Sequence, residues 1–323
     1  MVGVYRIHET GGPEVMKWEE EEIPPPEGQM VLVRHVAIGL NYIDTYHRSG
    51  LYPMPLPSRL GVEAAGLVEA VGADVTTLRP GDRVAYAGGL GAYAEANVLP
   101  AGRLVKLPEG VSDEVAAAGL LKGLTTCYLL RRTFPVTEDH TILVHAAAGG
   151  VGLLLCQWAK HIGATVIGTV GTAEKAELAR QNGADHTIVY REEDVVARVR
   201  EITDGKGVNV SYDSVGKDTY KISLDCLAPL GMFVSFGNSS GNAPAIHPHE
   251  LQNRGSLFFT RPSLAHYTAS TEDLSNLADE LFTAIADGIV KVHINQRYPL
   301  AELVQAHTDL ESRMTTGSTV ILP

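Results

Sequence analysis

The stretch HAAAGGVG at residues 145–152 places small residues at Ala147, Gly149 and Gly152. A dinucleotide-binding turn needs small residues at these offsets. The first permits the tight turn, the second lets backbone N–H groups approach a pyrophosphate, and the third lets the next helix pack on its strand. Alanine stands here where the first glycine is usual. A helix expected to start near Val151 would turn free N–H groups and the positive end of its dipole toward an anion. Gly149, Gly150, Val151 and Gly152 are therefore candidate phosphate contacts. A glycine-rich bend alone is weak evidence, so the flanking elements decide its weight.

Those elements have the required order. TILVHAA (141–147) reads as a buried strand, and VGLLLCQWAKHIG (151–163) as a helix ending at Gly163. ATVIGTV (164–170) is the next strand. TAEKAELARQNGA (172–184) is a helix with Thr172 as N-cap and Gly183 as its stop. HTIVY (186–190) is a third strand, and in DVVARVREI (194–202) the apolar residues share one helical face. VNVSYDSVG (208–216), GMFVSFG (231–237) and SLFFTRP (256–262) supply three more strands. Six strands alternating with helices predict an α/β chain built on a six-stranded, doubly wound parallel sheet.

Residues 1–120 read differently. MVLVRHVAIGL (30–40), AAGLVEAVG (64–72), DRVAYA (82–87) and GRLVKLP (102–108) are short strand-like runs punctuated by Gly, Pro and Asp. A helical segment from about Asp273 to Asp287 precedes a β-like GSTVILP (317–323). That tail is too short to be a domain and is expected to rejoin the first unit. The expected division is 1–121 plus 262–323 for a β-rich domain, with the nucleotide domain, 122–261, inserted in it.

The end of the second strand distinguishes the two common dinucleotides. An acidic side chain there binds a free ribose 2′-hydroxyl. In TVGTAEK (169–175), Val170 or Gly171 takes that position, and no carboxylate repels a 2′-phosphate. Lys175 follows, and Tyr190 ends the third strand. The combination favours NADPH. Glu174 is the complication, and on a helix it should point away from Lys175.

Composition narrows the classes further. Acidic residues outnumber basic ones by 38 to 26, a net charge of −12, which argues against a nucleic-acid partner. No apolar run approaches the ~18 residues that span a bilayer. The first 22 residues lack the form of a secretory leader, so a cytoplasmic protein without membrane contact is expected. The three cysteines, Cys127, Cys156 and Cys226, form no C-x-x-C, which disfavours both a disulfide framework and a structural zinc site.

These motifs together resemble the medium-chain dehydrogenase/reductase superfamily. GVEAAGLVEAVG (61–72), RPGDRV (79–84) and AAAGGVG (146–152) follow in its order. LNYIDTYHRSGLY (40–52), LKGLTTCYLLRRT (121–133), YDSVGKDTY (212–220), VSFGNSSG (234–241) and TRPSL (260–264) resemble its zinc-free NADPH:quinone oxidoreductases, the branch related to zeta-crystallin. The resemblance implies a GroES-like catalytic domain in the β-rich part and a Rossmann domain for NADPH. The metal-ligand cysteine of the zinc alcohol dehydrogenases corresponds to Asn41, and their G-H-E histidine to Val62. Their four-cysteine lobe is missing. A catalytic zinc needs three protein ligands, so none is expected.

Residue by residue, the resemblance places Asn41 and Tyr46 beside the nicotinamide as catalytic candidates. Asn41 would orient the substrate oxygen, and the Tyr46 hydroxyl would hold or donate a proton; both could equally only shape the pocket. Asp44 is expected to make structural hydrogen bonds. Tyr52 and Arg261 are pocket candidates. Thr125, Ser214, Phe236, Gly237, Asn238, Phe259 and Arg261 are carried over as coenzyme contacts, and Arg313 as a contact of the 2′-phosphate beside Lys175. A quinone is already electrophilic and gains aromaticity on reduction, so orientation and water exclusion would suffice. Two other functions remain open. One is NADPH-dependent reduction of the C=C bond of an enone, 2-alkenal or enoyl thioester. The other is non-catalytic NADPH binding in a crystallin-like or RNA-binding protein. The late strands suggest a sheet edge that could pair across a two-fold axis, and a homodimer is expected.

Overall fold

Along Met30–Leu40 burial first alternates and then becomes continuous. Val31, Val33 and His35 face inward while Arg34 and Val36 face solvent, and Ala37 to Leu40 are all buried. The strand therefore begins with one wet face and ends covered on both. The computed structural model describes all residues, Met1–Pro323.

Two units emerge. The first comprises Met1–Leu124, Thr268–Ala286 and Val292–Pro323. Its larger sheet runs in the order Ile294–Pro299, Ser318–Leu322, Met30–Leu40, Glu63–Val71, Arg83–Ala87, Val105–Lys106, with Ala96–Pro100 also paired to Met30–Leu40. The C-terminal strand lies antiparallel on Met30–Leu40, Val320 opposite Gly39. A smaller sheet orders Lys17–Glu21, Val2–Ile7 and Ser58–Arg59. Val33, Ile38, Leu60, Tyr86 and Leu303 are among the side chains of its core.

The second unit comprises Thr125–Tyr267 and Asp287–Lys291. Its six strands lie in the order His186–Val189, Thr165–Val170, Thr141–Val144, Val208–Asp213, Leu227–Ser235, Phe258–Thr260, all parallel. The first strand in sequence sits at the centre, and the order reverses beside it. Ligands bind in such sheets at the carboxyl ends of the strands next to that reversal. Leu143, Ile167, Ile188 and Phe233 fill the core on these strands.

Several elements depart from the sequence reading. GRLVKLP forms a strand only at Val105–Lys106, because Ala101–Arg103 coils into a 3₁₀ turn first. Two helices interrupt the β-rich region: α1, Tyr42–Ser49, and α2, Asp113–Tyr128. The two helices that follow are α3, Gly150–Ile162, and α4, Ala173–Gln181.

Candidate functional site

The turn after Thr141–Val144 is pinned to both neighbouring strands. The His145 N–H donates to the Tyr212 carbonyl at 3.0 Å and the Ala147 N–H to the Thr169 carbonyl at 3.1 Å. Ala146 takes a left-handed φ of 53°, and the Gly149 N–H closes the bend on its carbonyl at 2.9 Å. A Cβ on Gly152 would lie 2.3 Å from that carbonyl oxygen, so only glycine lets α3 pack this closely. The alanine in the first position has its own explanation. A Cβ on Gly168, in the adjacent strand, would come within 2.7 Å of the Ala147 methyl. The volume added at Ala147 is taken up by a glycine next door.

The start of α3 has no side-chain cap, whereas Thr172 caps α4 by accepting from the Lys175 N–H. Its first N–H groups are thus left for an anion, with the helix dipole favouring one. The residues fit a dinucleotide pyrophosphate at this point.

At the end of the second strand a Cβ on Gly171 would lie 2.9 Å from the Tyr190 hydroxyl. The position that an acidic residue would fill is therefore covered by a neutral phenol. The Glu174 carboxylate turns back onto its own N–H and the Thr172 hydroxyl, and these hydrogen bonds lower its pKa. Lys175 follows in the first turn of α4.

Ser214 and the Phe236–Asn238 stretch meet at the carboxyl ends of adjacent strands. The Phe236 N–H donates to the Asp213 carbonyl at 2.8 Å and the Ser239 N–H to that of Ser214 at 3.2 Å. A Cβ on Gly237 would lie 2.5 Å from the Ser214 carbonyl oxygen. Fully buried Asp213 locks the loop after its strand. Its carboxylate accepts from the Val215 and Gly216 N–H groups and from the Thr219 and Ser223 hydroxyls, at 2.7–3.0 Å. Phe259 lies on the edge strand with its ring 5.3 Å from that of Phe233, and Arg261 follows it, exposed. Thr125 is buried in α2.

In the first unit, Asn41 is the N-cap of α1 and is tied by three hydrogen bonds. Its N–H donates to Asp44 Oδ2 at 2.9 Å, and its Nδ2 to Glu63 Oε2 at 2.7 Å and more weakly to the Gly39 carbonyl at 3.4 Å. Glu63 has no exposed surface. Its Oε1 accepts from the Leu121 N–H at 2.6 Å, and Lys122 Nζ stands 3.5 Å from its Oε2. Burial pushes the Glu63 carboxyl up, and the Lys122 ammonium works against that. Asp44 is equally buried, which pushes it up to about 7, against the pull of the Tyr93 hydroxyl and the Asn41 N–H.

A chain of polar groups runs on from Asp44. The Tyr93 hydroxyl donates to it at 2.7 Å and accepts from His307 Nε2 at 3.0 Å. Arg48 Nη1 lies 2.8 Å from His307 Nδ1, and Arg48 Nη2 reaches both oxygens of Glu311 at 2.8 Å. A guanidinium only donates, so Nδ1 of His307 is the acceptor and Nε2 carries the proton. Burial, aided by the Arg48 charge, holds His307 down at about 3, hence neutral.

Tyr46 is buried on α1, and the half-buried Tyr52 stands edge-on to it with ring centroids 5.2 Å apart. Arg313 is exposed just beyond the Leu303–Glu311 helix. The structure thus groups Asn41, Tyr46 and Tyr52 on and after α1. In the second unit it gathers the turn, Gly171, Lys175 and Tyr190 on one side and Ser214 with Phe236–Asn238 on the other. The sequence reading missed Glu63, Lys122, Tyr93, His307 and Asp213. A glutamate inside the apolar GVEAAG run was a signal for Glu63. Lys122, Tyr93 and His307 act through partners far away in sequence, whereas Asp213 acts on the loop that directly follows it.

Known proteins resemble the chain over nearly its whole length. Residues 27–109 match the family described as alcohol dehydrogenase GroES-like domain, and residues 150–283 that described as zinc-binding dehydrogenase. The chain is 57% identical over 315 residues to a quinone oxidoreductase of Pseudomonas aeruginosa, covering 97% of each chain. It is 46% identical to a 2-haloacrylate reductase of a Burkholderia species, covering 100% of this chain and 99% of the relative. The Escherichia coli quinone oxidoreductase complexed with NADPH superposes with a TM-score of 0.97 at 51% identity, over 99% of this chain and all of that one. The side chains here do not fit the zinc of the second family description. Val62 is a buried hydrocarbon, and the Asn41 amide is committed to Glu63 and Gly39. No three His, Cys, Asp or Glu side chains gather elsewhere to hold a metal ion.

Proposed function

Because the chain belongs to the quinone oxidoreductase family of the medium-chain dehydrogenase/reductase superfamily, we infer that it reduces quinones with NADPH. The observation that carries the coenzyme assignment is the uncapped start of α3 on its pinned turn. Gly149 to Gly152 receive the pyrophosphate there. Lys175 and Arg313 take the 2′-phosphate, and Tyr190 stands against Gly171 in place of an acid. Thr125, Ser214, Phe236, Gly237, Asn238 and Phe259 line the rest of the coenzyme path.

When bound, NADPH supplies a hydride from its nicotinamide ring. A quinone that accepts one hydride and one proton becomes a hydroquinone, and the intermediate anion is stabilised by aromaticity. The protein has to orient the partners and exclude water. Asn41 and Tyr46 do this beside the nicotinamide, the Tyr46 hydroxyl holding or passing the proton. Tyr52 and Arg261 bound the pocket.

The test is NADPH oxidation by the purified protein with a panel of quinones and, in parallel, enones and 2-alkenals. Turnover confined to quinones supports the reading, and turnover confined to C=C acceptors refutes it. The 46% identity to a 2-haloacrylate reductase favours C=C reduction as the second reading. A non-catalytic, RNA-binding role is disfavoured by the net charge of −12.

Two further features belong to the same reading. The edge strand Phe258–Thr260 exposes Phe258, and the neighbouring strand exposes Leu230, an apolar border suited to a second copy in a homodimer. No disulfide joins any of the three cysteines.

A further inference from the structure

We propose that Glu63, backed by Lys122, is a positioning residue that fixes the Asn41 amide so that Asn41 offers its Oδ1, an acceptor, to the reacting groups. The proposal rests on the placement of Asn41 beside the nicotinamide. An asparagine amide has one acceptor oxygen and one donor nitrogen, and a turn about its last bond exchanges them. Here Nδ2 donates to Glu63 Oε2 at 2.7 Å. Both Glu63 oxygens act as acceptors, Oε1 from the Leu121 N–H and Oε2 beside the Lys122 ammonium, so the flipped amide would set oxygen against oxygen in a buried site. The backbone of Asn41 is fixed as well, its N–H donating to Asp44 Oδ2 at 2.9 Å and its carbonyl accepting from the Asp44 N–H at 3.1 Å.

Glu63 cannot turn to accommodate a flip. Its Oε1 is held by the Leu121 N–H at 2.6 Å. Lys122, 3.5 Å from Oε2 and itself donating to the Leu40 carbonyl, keeps a cation beside the buried carboxylate. The space for this arrangement comes from Gly39, where a Cβ would lie 2.3 Å from Glu63 Oε2 and 2.1 Å from the Ala117 carbonyl oxygen. Glycine at that point lets carboxylate, strand and α2 share one small volume.

The consequence concerns what Asn41 recognises. A quinone oxygen also only accepts, so Asn41 does not hold it. The partner of Oδ1 is an N–H or O–H donor, either the carboxamide of the nicotinamide or the hydroxyl of the hydroquinone as it forms. This narrows the expectation that Asn41 orients the substrate oxygen.

The test uses the full-length chain. In the wild type, the ¹⁵N-resolved Asn41 side-chain protons, identified by their loss in Asn41→Ala, should exchange at least about 100-fold more slowly than those of exposed Asn242. Equal rates overturn the proposal without any variant. Glu63→Gln should speed the Asn41 exchange and lower kcat/KM for a quinone about tenfold, the worth of about one hydrogen bond, at unchanged melting temperature. In the Asn41→Ala background the same substitution should have no further effect. Equal losses in both backgrounds, or unchanged exchange in Glu63→Gln, overturn it. Full activity in Asn41→Ala removes Asn41 from the site, while the exchange measurement still decides whether Glu63 fixes the amide. The 3-acetylpyridine analogue of NADPH locates the donor. It should abolish the difference between wild type and Glu63→Gln for a carboxamide donor and preserve it for a hydroquinone hydroxyl.

Discussion

The Tyr93 hydroxyl donates to Asp44 Oδ2 at 2.7 Å and accepts from His307 Nε2 at 3.0 Å, so one phenol joins the start of α1 to the Leu303–Glu311 helix. All three side chains are buried. Tyr93→Phe keeps the ring and leaves a buried carboxylate oxygen and a buried imidazole N–H without this partner. The expected cost is about 2 kcal/mol of stability, read as a lower urea midpoint at unchanged slope.

His35 sets part of the acid limit of stability. Its Nδ1 lies 2.7 Å from the Ala94 carbonyl oxygen and its Nε2 3.0 Å from the Tyr86 hydroxyl, and burial lowers it to about 4. Between pH 6.5 and 4 the unfolded chain therefore binds a proton here that the folded chain does not. Stability from this group is complete above about pH 6.5 and is lost as pH falls toward 4, up to about 3 kcal/mol. His307 acts with the same sign, and Asp44, raised to about 7, with the opposite one. Urea unfolding at pH 7, 6 and 5 should show a shallower acid decline in His35→Gln than in the wild type, by about 1 kcal/mol per pH unit. Parallel declines would refute the assignment.

How much of this was legible depends on the range of the interactions. The parallel sheet was, because Gly163, Thr172 and Gly183 mark helix ends locally and each strand is a short apolar run. Helix α1 was not: its eight residues are too few to display a period, although Asn41 at its N-cap, Asp44 at N3 and left-handed Gly50 are end signals. GRLVKLP looked like a strand, but only two residues found a partner. The network behind Asn41 was out of reach. Glu63 is 22 residues from Asn41 and 58 from Leu121, and Tyr93 is 214 from His307. No local pattern announces such pairings.

Coenzyme choice should rest on two cations. Lys175→Ala combined with Arg313→Ala removes both proposed 2′-phosphate partners. The KM for NADPH should rise about 100-fold, the worth of roughly two charge-assisted hydrogen bonds, while that for NADH moves less than about twofold. Equal changes in steady-state assays at 340 nm would refute the 2′-phosphate assignment.

The thiols should be bystanders even with an electrophilic substrate. Cys127, Cys156 and Cys226 are fully buried, and burial pushes Cys156 and Cys226 up to about 12. Thiolate, the reactive form, is scarce at neutral pH. The native protein should give no colour with a disulfide thiol reagent and keep its activity in excess benzoquinone. Three thiols should titrate after unfolding.

The most direct test of NADPH-dependent, zinc-free quinone reduction is a calorimetric titration of NADPH into protein dialysed against a chelator, followed by quinone in the same cell. The expected result is saturable binding of one NADPH per chain, then loss of 340 nm absorbance in step with the quinone reduced, with zinc making no difference. No heat of binding, or turnover that returns only when zinc is restored, contradicts it.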